Sequence, residues 1–258
     1  MTELHVVDQP GPADAPFVVL IHGTMDRSNS FGRTMSHLGD LSLVAYDRRG
    51  YARSRFAEPR AETVDDHVDD LLRVLDGRAA VLVGHSYGGV VALAASVREP
   101  GLVRAVGAFE APMPWLPEWP SDTAGGEALR AALRGGDADA AVEAFLRRML
   151  GDETWEMMPK RAKDDRLGEG PALVSDMKSL RGDPAPFEAA DVKVPVVIGW
   201  GSKSRPHQIE STERLLRALP DVEPFMIEGA RHGAHLSHPE EFARFVRATV
   251  TRARPASL

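Results

Sequence analysis

The five residues Gly84-His85-Ser86-Tyr87-Gly88 follow directly on the apolar run Ala79-Ala80-Val81-Leu82-Val83 and lead into Gly89-Val90-Val91-Ala92-Leu93-Ala94-Ala95. That order predicts a strand that turns sharply into a helix with a serine at the apex. So tight a turn strains the apex residue and brings neighbouring chain close, and side chains two positions to either side would collide. Glycine at 84 and 88 is what the geometry requires. The Ser86 hydroxyl is then held out above the sheet edge. The helix starting near Tyr87 directs its dipole and its unsatisfied N–H groups at whatever reacts there. A glycine-serine string alone also fits a plain turn; the flanking strand and helix make Ser86 a candidate nucleophile.

Short β-branched runs alternate with helical patterns along the rest of the chain. The runs are Phe17 to Ile21, Leu41 to Tyr46, Ala79 to Val83, Val103 to Phe109, Val194 to Trp200 and Val222 to Ile227. Nearly continuous apolar runs of this length are expected of strands buried on both faces, as in parallel sheets covered by helices. Helices are predicted over Val64 to Leu75, Tyr87 to Arg98, Pro206 to Leu219 and Pro239 to Thr251, the first carrying Val64, Val68, Leu71, Leu72 and Leu75 at helical spacing. The alternation predicts an α/β fold with a doubly wound, mostly parallel sheet.

From about Pro112 to Ala190 no strand-like run occurs, and four helical segments are predicted instead: Glu127 to Leu133, Asp137 to Leu150, Trp155 to Leu167 and Pro171 to Leu180. About 75 residues exceed what one crossover connection needs. The expectation is a core of residues 1–111 and 191–258 with a helical cap inserted at 112–190, the alternative being helices that simply cover the sheet.

A serine hydroxyl needs a base within hydrogen-bond reach. Of nine histidines, His232 lies soonest after the last predicted strand, on the glycine-flanked loop Gly229-Ala230-Arg231-His232-Gly233, at the end of the sheet where open α/β folds bind ligands. His235 and His238 read as surface or supporting residues, and His22 and His85 as buried, hydrogen-bonded groups in strand-end turns. His37, His67 and His207 read as exposed. No histidine pair shows metal-ligand spacing with a nearby carboxylate, so neither a metal nor any other cofactor is expected.

The chain resembles the α/β-hydrolase family over nearly its full length. The matching residues are His22-Gly23-Thr24, Asp47-Arg48-Arg49-Gly50-Tyr51-Ala52-Arg53-Ser54, Gly84 to Gly89, Gly229 to His232 and the helix start Pro239-Glu240-Glu241-Phe242. The resemblance implies an oxyanion hole from the backbone N–H groups of Thr24 and Tyr87. It also implies an aspartate shortly after the run Val194 to Trp200, where this chain instead reads Gly201-Ser202-Lys203-Ser204. Ser204 cannot carry the charge. Glu110 closes the preceding run before Ala111-Pro112, where some members of the family place their acid, and it keeps the order serine, acid, histidine. It is either the acid of a triad or a cap on the hinge, in which case Ser86 and His232 act as a dyad. The Asp47 to Ser54 turn is expected to stitch neighbouring loops together.

Met113, Trp115, Trp119, Met149 and Trp155 either line an apolar substrate pocket or fill the core of the cap. Serine at the apex excludes ester chemistry on a carboxylate nucleophile. It favours a carboxylesterase-like enzyme acting on an ester, lactone or thioester, with carbon–carbon bond hydrolase, perhydrolase and non-hydrolytic binder as alternatives. The partner expected is a small molecule. A net charge of −7 without a basic stripe argues against nucleic acid or an anionic membrane surface. No secretory signal or bilayer-length apolar stretch is visible, so a cytoplasmic protein is the expectation. The absence of cysteine excludes disulfides and thiolate catalysis, and the residues leave the oligomeric state open.

Overall fold

The computed structural model describes residues 3–119 and 126–253. Their seven strands are β1 (Val6–Gln9), β2 (Phe17–Ile21), β3 (Ser42–Tyr46), β4 (Ala80–His85), β5 (Val103–Phe109), β6 (Val196–Gly201) and β7 (Val222–Ile227). They form one sheet in the order β1-β3-β2-β4-β5-β6-β7. Every pair is parallel except β1, which runs antiparallel along β3. The chain passes from β2 outward to β3 and then returns to β4 on the other side. The ends of β2 and β4 therefore flank the switch point, where open α/β sheets form their binding crevice. Ile21 lies opposite Gly84 in that register. The six strands read from the sequence are all present; three keep their starts and three start one or two residues later. The edge strand β1 was not expected: it has four residues, and its half-exposed Val6-Val7-Asp8-Gln9 lacks the apolar run of a buried strand.

The helices are α1 (Gly32–Met35), α2 (Val64–Leu75), α3 (Tyr87–Arg98), α4 (Glu127–Gly135), α5 (Ala138–Leu150), α6 (Asp152–Met157), α7 (Lys160–Leu167), α8 (Gly170–Ser179), α9 (Pro206–Ala218), α10 (Ala234–Ser237) and α11 (Pro239–Thr251). A capping box starts α2, with the Asp66 N–H donating to Thr63 Oγ1 at 3.1 Å and the Thr63 N–H to Asp66 Oδ2 at 2.9 Å. His67 corrects one expectation. It is buried, because it lies three residues after Val64 and four before Leu71, on the face α2 turns inward. The single helix expected over Trp155 to Leu167 is two, α6 and α7, parted at Met158-Pro159. Proline supplies no N–H and clashes with the preceding turn.

Apolar residues pack on both faces of the sheet. One layer joins Val19, Ile21, Leu82 and Val106 to α2 and α3; the other joins Val18, Leu20, Val83 and Phe109 to Phe242, Phe245 and Val246 of α11. A third cluster gathers Leu129, Val142, Leu146, Trp155 and Leu173 from the helices between β5 and β6 with Met25 and Tyr51 from loops after β2 and β3. The described residues between β5 and β6 contain helices and no strand. The expected insertion and core include positions 1–2, 120–125 and 254–258, which lie outside the described residues. No helix among the described residues is long and apolar enough to cross a membrane.

Candidate active site

Ser86 stands at the junction of β4 and α3 with φ +53° and ψ −123°, a conformation that a non-glycine residue adopts only under constraint. The constraint is visible at the neighbouring glycines. A Cβ on Gly84 would meet the Gly88 carbonyl oxygen at 2.1 Å, and one on Gly88 would meet that of Ile21 at 2.1 Å. The Ser86 N–H donates to the Phe109 carbonyl at 2.8 Å, pinning the elbow to the end of β5. Tyr87 is the first residue of α3, so its N–H has no partner within the helix.

The next residue after β5 is Glu110, also at positive φ (+47°), with its N–H donating to the Gly199 carbonyl of β6 at 2.9 Å. Its buried carboxylate meets His232 Nδ1 at 2.6 Å through Oε2. Its Oε1 accepts from the Gly201 N–H at 2.9 Å and from Ser204 Oγ at 2.5 Å. Burial pushes the Glu110 carboxyl up, but the hydrogen bond and charge of His232, with the Gly201 and Ser204 donors, outweigh it and hold the group below its usual range. With a carboxylate at Nδ1, the imidazole is fixed with Nδ1 protonated and Nε2 available as a base. Ser204 thus stands where the family pattern expects an acid and donates a hydrogen bond to the acid on the neighbouring strand.

His85 and His235 lie behind His232. The His85 Nε2–H donates to the His232 carbonyl at 2.8 Å, and the His85 and His235 rings meet at a tilt of 47° with centroids 4.3 Å apart. Burial first, then the nearby His235 and His232, lower the His85 pKa well below the ordinary value and keep it neutral. His235 Nε2 donates to Asp26 Oδ2 at 3.1 Å; burial alone would raise the Asp26 carboxyl, but this bond lowers it. Asp26, His85 and His235 each bring one donor atom within 4.8 Å of the others. Sequence spacing gave no sign of this group, since the chain separates its members by up to 209 positions.

Thr24 follows β2, and its Oγ1 donates to Asp176 Oδ2 at 2.8 Å. Asp176, on α8, also receives Arg48 at 2.7 Å and the Tyr51 hydroxyl at 2.7 Å, all three side chains being buried. This network was not foreseen beyond the expectation that the Asp47 to Ser54 turn ties loops together. That turn does so: Asp47 accepts from the Ser28 N–H and the Arg53 N–H at 2.8 and 3.1 Å, and Arg49 pairs with Asp70 at 2.6 Å.

Two cavities meet at Ser86. The smaller, about 260 Å³, runs past Thr24, Met25, His232 and Leu236; the larger, about 580 Å³, runs past Pro112, Trp119, Leu129, Leu133 and Leu180. Ser86, Phe145, Met149, Gln208 and His232 line both. Of the apolar residues proposed for a pocket, Met149 and Trp119 line a cavity. Met113, Trp115 and Trp155 do not. Met113 is buried in the apolar layer that contains α2 and α3, Trp115 packs edge-on against Phe187 and donates to its carbonyl at 3.1 Å, and Trp155 is in the core of the helical segment. Phe145, one helical turn before Met149 on α5, was missed although its spacing put it on the same face. So were the cavity cations Arg166, Lys203, Arg205 and Arg231.

Comparison with known proteins finds hydrolases and esterases among the relatives of this chain. The curated 2-(acetamidomethylene)succinate hydrolase of Mesorhizobium japonicum is 28% identical over 242 residues, 87% of this chain and 84% of that protein. The pimeloyl-(acyl-carrier protein) methyl ester esterase of Chromobacterium violaceum is 26% identical over 237 residues, 89% and 92%. The crystal structure of an enol-lactonase from Burkholderia xenovorans superposes with a TM-score of 0.73 at 20% identity over 96% of each chain. The family model described as "Alpha/beta hydrolase family" matches residues 18–245, and the chain belongs to that family.

Proposed function

We propose that this hydrolase cleaves a carboxylic ester, lactone or thioester of a small substrate through an acyl-enzyme formed on Ser86. His232 is the base and Glu110 the acid of the triad, and the N–H groups of Thr24 and Tyr87 form the oxyanion hole. The observation that carries the reading is the 2.6 Å contact between Glu110 Oε2 and His232 Nδ1, on a histidine that lines the same cavities as Ser86.

In this reading Ser86 Oγ attacks the carbonyl carbon while His232 Nε2 takes its proton. Glu110 stabilises the imidazolium without itself taking the proton. The charge forming on the carbonyl oxygen is met by the two N–H groups, each worth ~3 kcal/mol of barrier. His232 then returns the proton to the leaving alcohol or thiol, and a water activated by the same nitrogen releases the acid. The segment 112–190 acts as a cap: Phe145 and Met149 of α5 wall the space beside Ser86 and exclude bulk water. A binder with a decayed triad would leave position 204 idle, and Ser204 instead supports the displaced acid.

4-Nitrophenyl esters of increasing acyl length are the test. Turnover by the native chain that falls ~10⁶-fold in Ser86→Ala is expected; tight binding of these esters with no turnover by the native chain would overturn the reading in favour of a receptor.

A further inference from the structure

The sequence carries 38 acidic residues against 31 lysines and arginines, yet the smaller cavity beside Ser86 inverts that balance. Arg166, Lys203, Arg205 and Arg231 line it against the single carboxylate of Asp26, which already receives His235. Two of these cations are locked together by the backbone. The Lys203 N–H donates to the Ala230 carbonyl at 2.9 Å, and a Cβ on Gly201 would meet the same oxygen at 2.4 Å. The turn after β6 and the loop that carries His232 are therefore pressed against each other. Their close packing brings Lys203 and Arg231, both exposed, to line the same cavity, with no acidic partner for either among the described residues.

Arg166 reaches the cavity from α7, donates to the Met25 carbonyl at 3.0 Å and shares Glu169 with Arg27, at 3.4 and 3.3 Å. Two guanidiniums on one carboxylate leave a surplus positive charge. Burial, and then Arg27, lower the Arg166 pKa, which is the signature of a cation that an added anion would favour. The larger cavity, on the other side of Ser86, presents Trp119, Leu129, Leu133 and Leu180 together with Arg130, Arg148 and Arg181. The nucleophile thus stands between two chambers in which cations outnumber carboxylates, and in the smaller one Lys203 and Arg231 lie on the turn and the loop nearest His232.

We propose that the substrate is a carboxylate-bearing ester whose carboxylate is held in the smaller chamber by Lys203 and Arg231. The proposal rests on the reading that Ser86 attacks an ester. A carboxylate reaching both side chains would be held by charge-assisted hydrogen bonds from each. A chamber of one sign in an acidic protein also focuses the field on an incoming anion and raises its rate of encounter.

Ser86→Ala, which retains the chambers, is titrated by calorimetry with three esters: mono-(4-nitrophenyl) glutarate, 4-carboxyphenyl valerate and the neutral 4-nitrophenyl valerate. The first two place the charge on opposite sides of the scissile bond. At least one anionic ester is expected to bind about tenfold or more tightly than the neutral one, with a preference that shrinks as salt rises. Lys203→Met with Arg231→Gln should remove the preference, and Lys203→Glu should reverse it. Equal binding of all three esters at low salt, or a preference that survives the double variant, would overturn the proposal. Turnover by the native chain is read in parallel. A preference without turnover strikes the triad and leaves the anion site; turnover of the neutral ester without a preference does the reverse.

Discussion

In the proposed mechanism, Glu110 is the residue on which the chemistry turns. Its carboxylate is buried, receives Gly201 and Ser204 on one oxygen and touches His232 on the other. Glu110→Gln keeps the shape and removes the charge that an imidazolium needs. We expect kcat for a 4-nitrophenyl ester to fall ~10⁴-fold with KM little changed. Near-native kcat in that variant would mean that Ser86 and His232 work as a dyad. Glu110 was legible in the sequence because it closes an apolar run at a strand end and precedes Ala111-Pro112. Ser204 was legible only as a missing acid, since a hydroxyl declares no partner until the fold supplies one. Met113, Trp115 and Trp155 show the limit of reading side chains singly. An apolar residue fits a pocket wall and a core equally well, and only the packing of its element decides between them.

The ends of β2, β4 and β5 each deliver one part of the site, and buried polar groups hold those ends together. His22 follows β2, with its Nδ1–H donating to the Gly23 carbonyl at 2.7 Å and its Nε2 accepting the Arg48 N–H at 2.8 Å. Burial, then the Arg48 charge, push its pKa from 6.5 down to about 4. His67 in α2 and His85 at the end of β4 are lowered for the same first reason. The sign follows from linkage. The unfolded chain takes up these protons below pH 6.5 and the folded chain refuses them, so stability present above 6.5 is lost as pH falls toward about 4. For His22 alone the loss approaches ~3 kcal/mol. Urea midpoints should drop between pH 7 and 5.5, where carboxylates titrate little, with protons taken up on unfolding; a midpoint that stays level or rises across that window would refute the account. The burial of His67 could have been read from its place among Val64, Val68 and Leu71. The Arg48–Asp176 pair could not, because 128 residues separate its partners and Asp176 sits in no recognisable pattern.

Across the whole molecule, the doubly wound sheet and most helix bounds were legible because buried parallel strands and amphipathic helices write their periods into the chain. The helices between β5 and β6 were legible as helices. Their relation to the sheet was not, since it depends on Met25, Tyr51 and Thr24 meeting α5 and α8 across long sequence separations. The cationic chamber escaped notice for the same reason: Arg166, Lys203 and Arg231 come from three segments and converge only in the folded chain. All of these features matter to function only if the hydroxyl on the elbow after β4 is the group that attacks. Incubation with an alkyl fluorophosphonate followed by peptide mass spectrometry tests that claim most directly. One phosphonyl adduct is expected, on Ser86, with activity lost in step and no adduct in Ser86→Ala. An adduct on another residue, or full ester turnover by a chain that never becomes labelled, would contradict it.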